Sequence, residues 1–186
     1  MIYCFLAEGF EEIEAITTVD MLRRTGDKIA VKTVAVSEDN TLTVKGAHGI
    51  PVVADMHIND VVTDETLTGV FLPGGMPGTT NLDKSEKVRE LVAFANDNGR
   101  YIFAICAAPS VLGHMGLLKG KNATCYPGFE SELEGAIYTA APCTQDGKII
   151  TGKGPGATVD FAALIIKELL SEDVANNMKA SMQCYE

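Results

Sequence analysis

The chain has no tryptophan, no Cys-x-x-Cys pair and no excess of basic residues. It also has no apolar run of the ~18 residues that a membrane-spanning helix needs. Each absence excludes a class. With 15 Lys and Arg against 25 Asp and Glu the net charge is −10, which speaks against a nucleic-acid or acidic-membrane partner. The five cysteines (4, 106, 125, 143 and 184) are odd in number and scattered, so neither a disulfide framework nor a zinc site is expected, and a reducing cytoplasm is. The opening MIYCFLAEGFEE is too short and too acidic for a signal peptide. The three histidines, His48, His57 and His114, have no metal-ligand spacing, so no metal is expected, and they read as surface or structural residues. No GK[ST] phosphate loop and no internal repeat occur.

What is present is an ordinary globular composition, 46% hydrophobic and 22% charged over 186 residues, enough for one domain spanning 1–186. Residues 101–105, YIFAI, form an apolar run suited to a strand buried on both faces of a parallel sheet. Cys106 follows at once, then small residues and a helical apolar pattern. A strand turning directly into a helix with one Cys at the corner has the layout of a nucleophile elbow. A helix N-terminus at the sulfur would favour thiolate. The same stretch also fits a buried structural cysteine.

The remaining pattern is α/β. Residues 1–7 read as a buried strand and 11–25 as a helix with Ile13, Ile16, Val19 and Leu22 on its inner face, ended by Gly26. Residues 28–36 read as a second strand. Short strands at 41–44 and 50–54 suggest a hairpin at one sheet edge, and 55–68 a polar connection with a helical turn near 59–62. A strand at 69–72, a helix at 85–98, the Cys106 strand and its helix to about 115 come next. Residues 121–147 read as short strands and loops, 148–151 as a strand, and 158–170 and 172–180 as helices. This order predicts a three-layer α/β/α sandwich of flavodoxin-like topology with a mostly parallel sheet. Its site would lie at the strands' carboxyl ends.

Three segments meet there: residues 8–14, the loop LPGGMPG (72–78), and Cys106. The backbone N–H groups of Gly74, Gly75 and Ala107 could hold a developing oxyanion, although glycines in such a loop can equally be there for positive φ. Glu11 and Glu12 read as surface charges favourable to the helix dipole, whereas the phase of Glu14 points it along the sheet's top edge toward Cys106. His114 lies two turns down the Cys106 helix, too far to serve as its base.

With these residues in view the chain resembles the ThiJ/PfpI superfamily, in the branch of the parkinsonism-associated protein deglycase. EGFEEIEA, VDMLRR, VFLPGG, AICAAPSVLG, ATCYPGFE and GKGPGATVDFA carry the likeness in order over nearly the whole chain. The resemblance implies a homodimer without cofactor, Cys106 as reactive thiol, Glu14 as its carboxyl partner, and Gly74, Gly75 and Ala107 as backbone donors. It further implies that Arg24, His48 and Pro155 approach the pocket, from the second subunit. The implied activity is cysteine-dependent chemistry on small reactive aldehydes or their protein adducts; the alternatives are a redox sensor or chaperone acting through Cys106 oxidation, or an amidase or peptidase. Two departures bear on this. Ala107 stands where protease-like members have His, and Tyr126 stands where the deglycase branch often has His, leaving Glu14 as the main acid/base.

Overall fold

The computed structural model describes residues 1–184. In chain order the elements are β1 (Ile2–Ala7), α1 (Glu12–Arg23), β2 (Val31–Val36), β3 (Thr43–Lys45), β4 (Pro51–Val53), β5 (Met56–His57), β6 (Gly69–Leu72), α2 (Gly78–Lys84), α3 (Glu86–Asp97), β7 (Tyr101–Ile105), α4 (Pro109–His114), β8 (Asn122–Ala123), β9 (Ile137–Tyr138), β10 (Cys143–Asp146), β11 (Ile149–Gly152), α5 (Thr158–Leu169) and α6 (Glu172–Ser181). Seven strands form the main sheet in the order β10-β11-β7-β6-β1-β2-β5, parallel except for the β10–β11 hairpin. This is the flavodoxin-like α/β sandwich expected. No helix of the described residues is long and apolar enough to cross a membrane.

Side-chain alternation divides the core between the two faces of the sheet. Along β1, Ile2, Cys4 and Leu6 pack on one side with α1, α5 and α6, while Tyr3, Phe5 and Ala7 pack on the other with α2, α3 and α4. Along β7, Phe103 and Ile105 share the first side, and Ile102 and Ala104 the second. The Phe71 and Phe161 rings, 5.6 Å apart, tie β6 to α5 across the first. Because β7, β6 and β1 are neighbours, the loops leaving their carboxyl ends converge on one spot.

The local elements differ from the sequence pattern in four places. The β3–β4 hairpin forms but stays outside the main sheet. It docks on the β1–α1 turn, Gly9 N–H donating to Lys45 O and Ala47 N–H to Phe10 O, both at 2.8 Å. The true edge strand is β5, inside the stretch expected to be a polar connection, paired with β2 through Met56 and His57. The helix α2 fills the stretch between the glycine loop and the helix expected from 85, where the sequence pattern indicated no element; its sequence GTTNLDK has little apolar periodicity, and only Gly78, Thr79 and Leu82 are buried. In α1 the buried face is Glu14, Ala15, Thr18, Val19, Met21 and Leu22 with Glu12, whereas Ile13 and Ile16 are exposed. Val19 and Leu22 face the core as expected, but the first half of the triplet spacing does not, because the hairpin and the β6 loop cover the flank holding Glu12 and Glu14.

Candidate active site

Cys106 sits at the corner between β7 and α4 with φ +65°, the left-handed region that a non-glycine residue enters only under constraint. The constraint is visible on both sides. Its N–H donates to Gly152 O at 2.9 Å, and its carbonyl accepts from Tyr126 N–H at 2.8 Å. The surrounding structure therefore clamps the corner and turns the side chain out at the sheet's top edge.

Glu14 comes to this corner from α1. It is fully buried, and its Oε2 accepts the Gly74 N–H at 2.8 Å. Its Oε1 is buried without a hydrogen-bond partner among the described residues, and the carboxyl faces the Cys106 side chain. Gly74 is obligatory between them: a Cβ there would lie 2.5 Å from Cys106 Cβ and 2.7 Å from Glu14 Oε2. The N–H groups of Gly75 and Ala107 point at the sulfur. Of the three expected backbone donors, Gly75 and Ala107 thus face the Cys106 sulfur, and Gly74 spends its N–H on Glu14 instead.

The electrostatics reverse one expectation. Burial pushes the Cys106 thiol up to about 12, with the Glu14 charge as the next cause, against the smaller pull of the Gly75 and Ala107 N–H groups. The helix α4 is only six residues long, so its dipole is weak. Burial likewise pushes the Glu14 carboxyl up to about 7, opposed by the Gly74 hydrogen bond and the Cys106 contact and helped by Glu11. The Glu14 charge discourages ionisation of the thiol while the thiol contact favours the Glu14 carboxylate, so a carboxyl titrating near neutrality stands beside a sulfur that holds its proton, an arrangement in which one proton can pass between them.

Over the sulfur lies a cleft of about 460 Å³, lined by Cys106, Gly75, Glu11, His48, Tyr126 and Pro155 among others. His48 and Pro155 therefore reach the cleft within the same chain that supplies Cys106. Arg24 does not line it; it pairs with Asp20 at 2.6 Å at the far end of α1. Tyr126 is 46% exposed and its ring lies over Gly154, where a Cβ would come within 3.0 Å. Glu11 and Glu12, expected on the surface, are buried. Glu12 holds the hairpin loop, accepting His48 N–H at 2.8 Å through Oε1 and the His48 ring Nδ1 at 2.9 Å through Oε2. Linear spacing could not show this, since residues 12 and 48 meet only when the hairpin docks. His114 is structural, as expected: its ring bridges Asp83 at 2.8 Å and Glu132 at 2.9 Å.

A cysteine on a strained strand-to-helix corner, beside a buried carboxylic acid, has the layout of an elbow in a flavodoxin-like α/β protein. The chain belongs to the DJ-1/PfpI family, whose family profile matches residues 1–168. It is 37% identical to protein DJ-1 homolog B of Arabidopsis thaliana over 91% of this chain, which spans only 38% of that relative's length. It is 32% identical to glutathione-independent glyoxalase DJR-1.2 of Caenorhabditis elegans, covering 92% of this chain and 89% of that protein. Among solved structures it superposes on a DJ-1 superfamily protein from Salmonella typhimurium with a TM-score of 0.92 at 35% identity, over 100% of this chain and 98% of the other.

Proposed function

We propose that the protein is a cysteine-dependent, cofactor-independent enzyme acting on small reactive aldehydes, α-dicarbonyls such as methylglyoxal foremost, or on their adducts with proteins. The observation that carries this reading is the Cys106–Glu14 pair, a thiol and a carboxylic acid of pKa about 7 buried side by side under the cleft. Glu14 takes the thiol proton as sulfur attacks the aldehyde carbon. The new oxyanion is held by the Gly75 and Ala107 N–H groups, and proton return from Glu14 gives a neutral hemithioacetal. The glyoxalase named among the relatives supports the substrate class. The free thiols fit a reducing compartment such as the cytoplasm.

Steady-state assay of a dicarbonyl panel tests this, with purified protein and no added thiol or metal. Conversion of the dicarbonyl with water to the 2-hydroxy acid is expected, and no turnover across the panel would refute it. Within that assay, Tyr126→Phe is expected to lower kcat by roughly tenfold or more, the scale of one lost oxyanion donor or somewhat less, and Tyr126→His to raise it by adding a base near neutral pKa. An unchanged Phe variant would reduce Tyr126 to packing.

One observation favours a second reading, oxidation sensing. Glu14 Oε1 is buried without a hydrogen-bond partner among the described residues, and in its protonated form it could donate to an oxygen that peroxide, itself reduced to water, adds to the Cys106 sulfur. Sulfinate formation at Cys106 with no aldehyde turnover would select it.

A homodimer is part of the reading. Ile13 and Ile16 on α1, 54% and 39% exposed, and Ile50 and Val53 of the docked hairpin, 56% and 71% exposed, are large apolar side chains open to a second copy. Pairing through α1 would also let Arg24 of a second copy approach the cleft. Light scattering at micromolar concentration is expected to give twice the chain mass; a monomer would contradict it.

A further inference from the structure

We infer that a second cavity beside the Cys106 cleft is a subsite for the hydroxylated tail of a sugar-derived α-oxoaldehyde. The inference rests on the aldehyde reading for the chemistry at Cys106 and deepens it, by naming the part of the substrate that does not react.

The cavity measures about 330 Å³ and is walled by α2, α4 and the turn Glu130–Glu132. Met76 and Phe129 line both it and the Cys106 cleft, so the two spaces adjoin at those side chains. Met76 is a movable wall: it is unbranched and half exposed, and its sulfur takes only a weak bond from Thr80 Oγ1 at 3.9 Å. A substrate whose carbonyl meets Cys106 can therefore extend past Met76 into the cavity. Methylglyoxal, with a single methyl beyond its carbonyls, has no group that the polar atoms there could bind.

Those polar atoms define the tail. Thr79, in the first turn of α2, is 3% exposed, and its Oγ1 is buried with no partner among the described residues. Ser110, in the first turn of α4 just past Cys106, is 4% exposed, and its hydroxyl likewise makes no bond to protein among the described residues. Unpaired hydroxyls are costly to bury, and ligand hydroxyls answer them as donor and acceptor at once. The charged groups of the wall cancel. The His114 ring spans Asp83 Oδ2 at 2.8 Å and Glu132 Oε2 at 2.9 Å, and Arg89 Nη1 donates to Asp83 Oδ1 at 2.6 Å. An imidazole that donates to a carboxylate through each nitrogen is in its cationic form. Two cations therefore face two carboxylates, and the wall favours neither an anion nor a cation. A neutral, hydroxyl-rich tail fits it, with Met76 and Phe129 against the C–H side. An alkyl tail would leave both hydroxyls unpaired.

The test compares 3-deoxyglucosone, a hexose-derived α-oxoaldehyde with a hydroxylated tail, with methylglyoxal in the wild type and in Thr79→Val with Ser110→Ala. Removing hydroxyls that have no partner costs no hydrogen bond, so the double variant is expected to melt with the wild type. Its KM for 3-deoxyglucosone is expected to rise at least ~tenfold, with kcat and both methylglyoxal constants unchanged. An unchanged KM, or a rise shared by methylglyoxal, would overturn the subsite. Saturation-transfer NMR on Cys106→Ser reads binding without turnover. The tail hydrogens of 3-deoxyglucosone are expected to receive saturation there, and to lose it when Thr79→Val and Ser110→Ala are added. That binding pattern with no turnover of either dicarbonyl by the wild type would refute the aldehyde reading and uphold the subsite. No tail saturation, or saturation indifferent to the added substitutions, would overturn the subsite whatever the turnover.

Discussion

Replacing Glu14 with Gln is expected to lower aldehyde turnover by about 100-fold or more, the scale of losing a positioned acid/base group. The same substitution is expected to make Cys106 easier to ionise. The Glu14 charge is the largest cause after burial that holds the thiol up, and Gln removes it while keeping the shape and a donor. The alkylation rate of Cys106 by iodoacetamide should therefore rise at a lower pH in the variant than in the wild type, even as catalysis falls. Stability carries a third signature. The Glu14 carboxyl is raised on folding from 4.5 to about 7, so the native state holds its proton after the unfolded chain has lost its own. Wild-type stability is then full below pH 4.5 and declines as pH rises through 7, by roughly 3 kcal/mol. Glu14→Gln has nothing to titrate there, so it should melt higher than the wild type above pH 7, with the gap narrowing on acidification. Identical alkylation profiles would remove Glu14 from the site.

Gly75→Ala is expected to cost several kcal/mol of stability and to abolish turnover in whatever folded fraction remains. Gly75 has φ +89°, and a Cβ there would meet only backbone: the Glu11 nitrogen, the Gly9 carbonyl oxygen at 2.6 Å and the Phe10 carbonyl carbon at 2.7 Å. None of these can swing aside as a side-chain tip could. The collision falls where the β1 and β6 loops meet, which is held by Glu11 N–H donating to Gly74 O at 2.9 Å and Gly78 N–H to Gly9 O at 3.2 Å. Relieving it would separate the Gly75 N–H from the sulfur. A circular-dichroism melt matching the wild type would show that the loop tolerates the methyl and that its close packing is not what places the donor.

These two residues also show what the sequence makes legible. Cys106 is readable because three independent patterns meet on it: a buried-strand run before it, small residues around it and a helical phase after it. Glu14 is readable from its phase relative to Thr18, and the glycine loop from composition. Glu11 and Glu12 were misread because their burial depends on a hairpin some thirty residues on that docks over them, a tertiary event with no local trace. The exposure of Ile13 and Ile16 has the same origin, since apolar spacing alone cannot tell a core face from a face kept for another surface. The two-residue strand β5 and the helix α2 are too short or too polar to produce a period. The Cys106 ionisation was misjudged because helix direction can be read from a pattern, whereas desolvation can be read only from the packed site.

The account's central claim is that the Cys106 sulfur itself bonds to the aldehyde carbon. Carbon NMR of the protein with methylglyoxal labelled at the aldehyde position, recorded during slow turnover, tests it directly. The expected result is a protein-bound hemithioacetal carbon in the wild type that is absent from Cys106→Ser, together with loss of turnover in that variant. Undiminished turnover by Cys106→Ser, or the same bound carbon in both proteins, would contradict it.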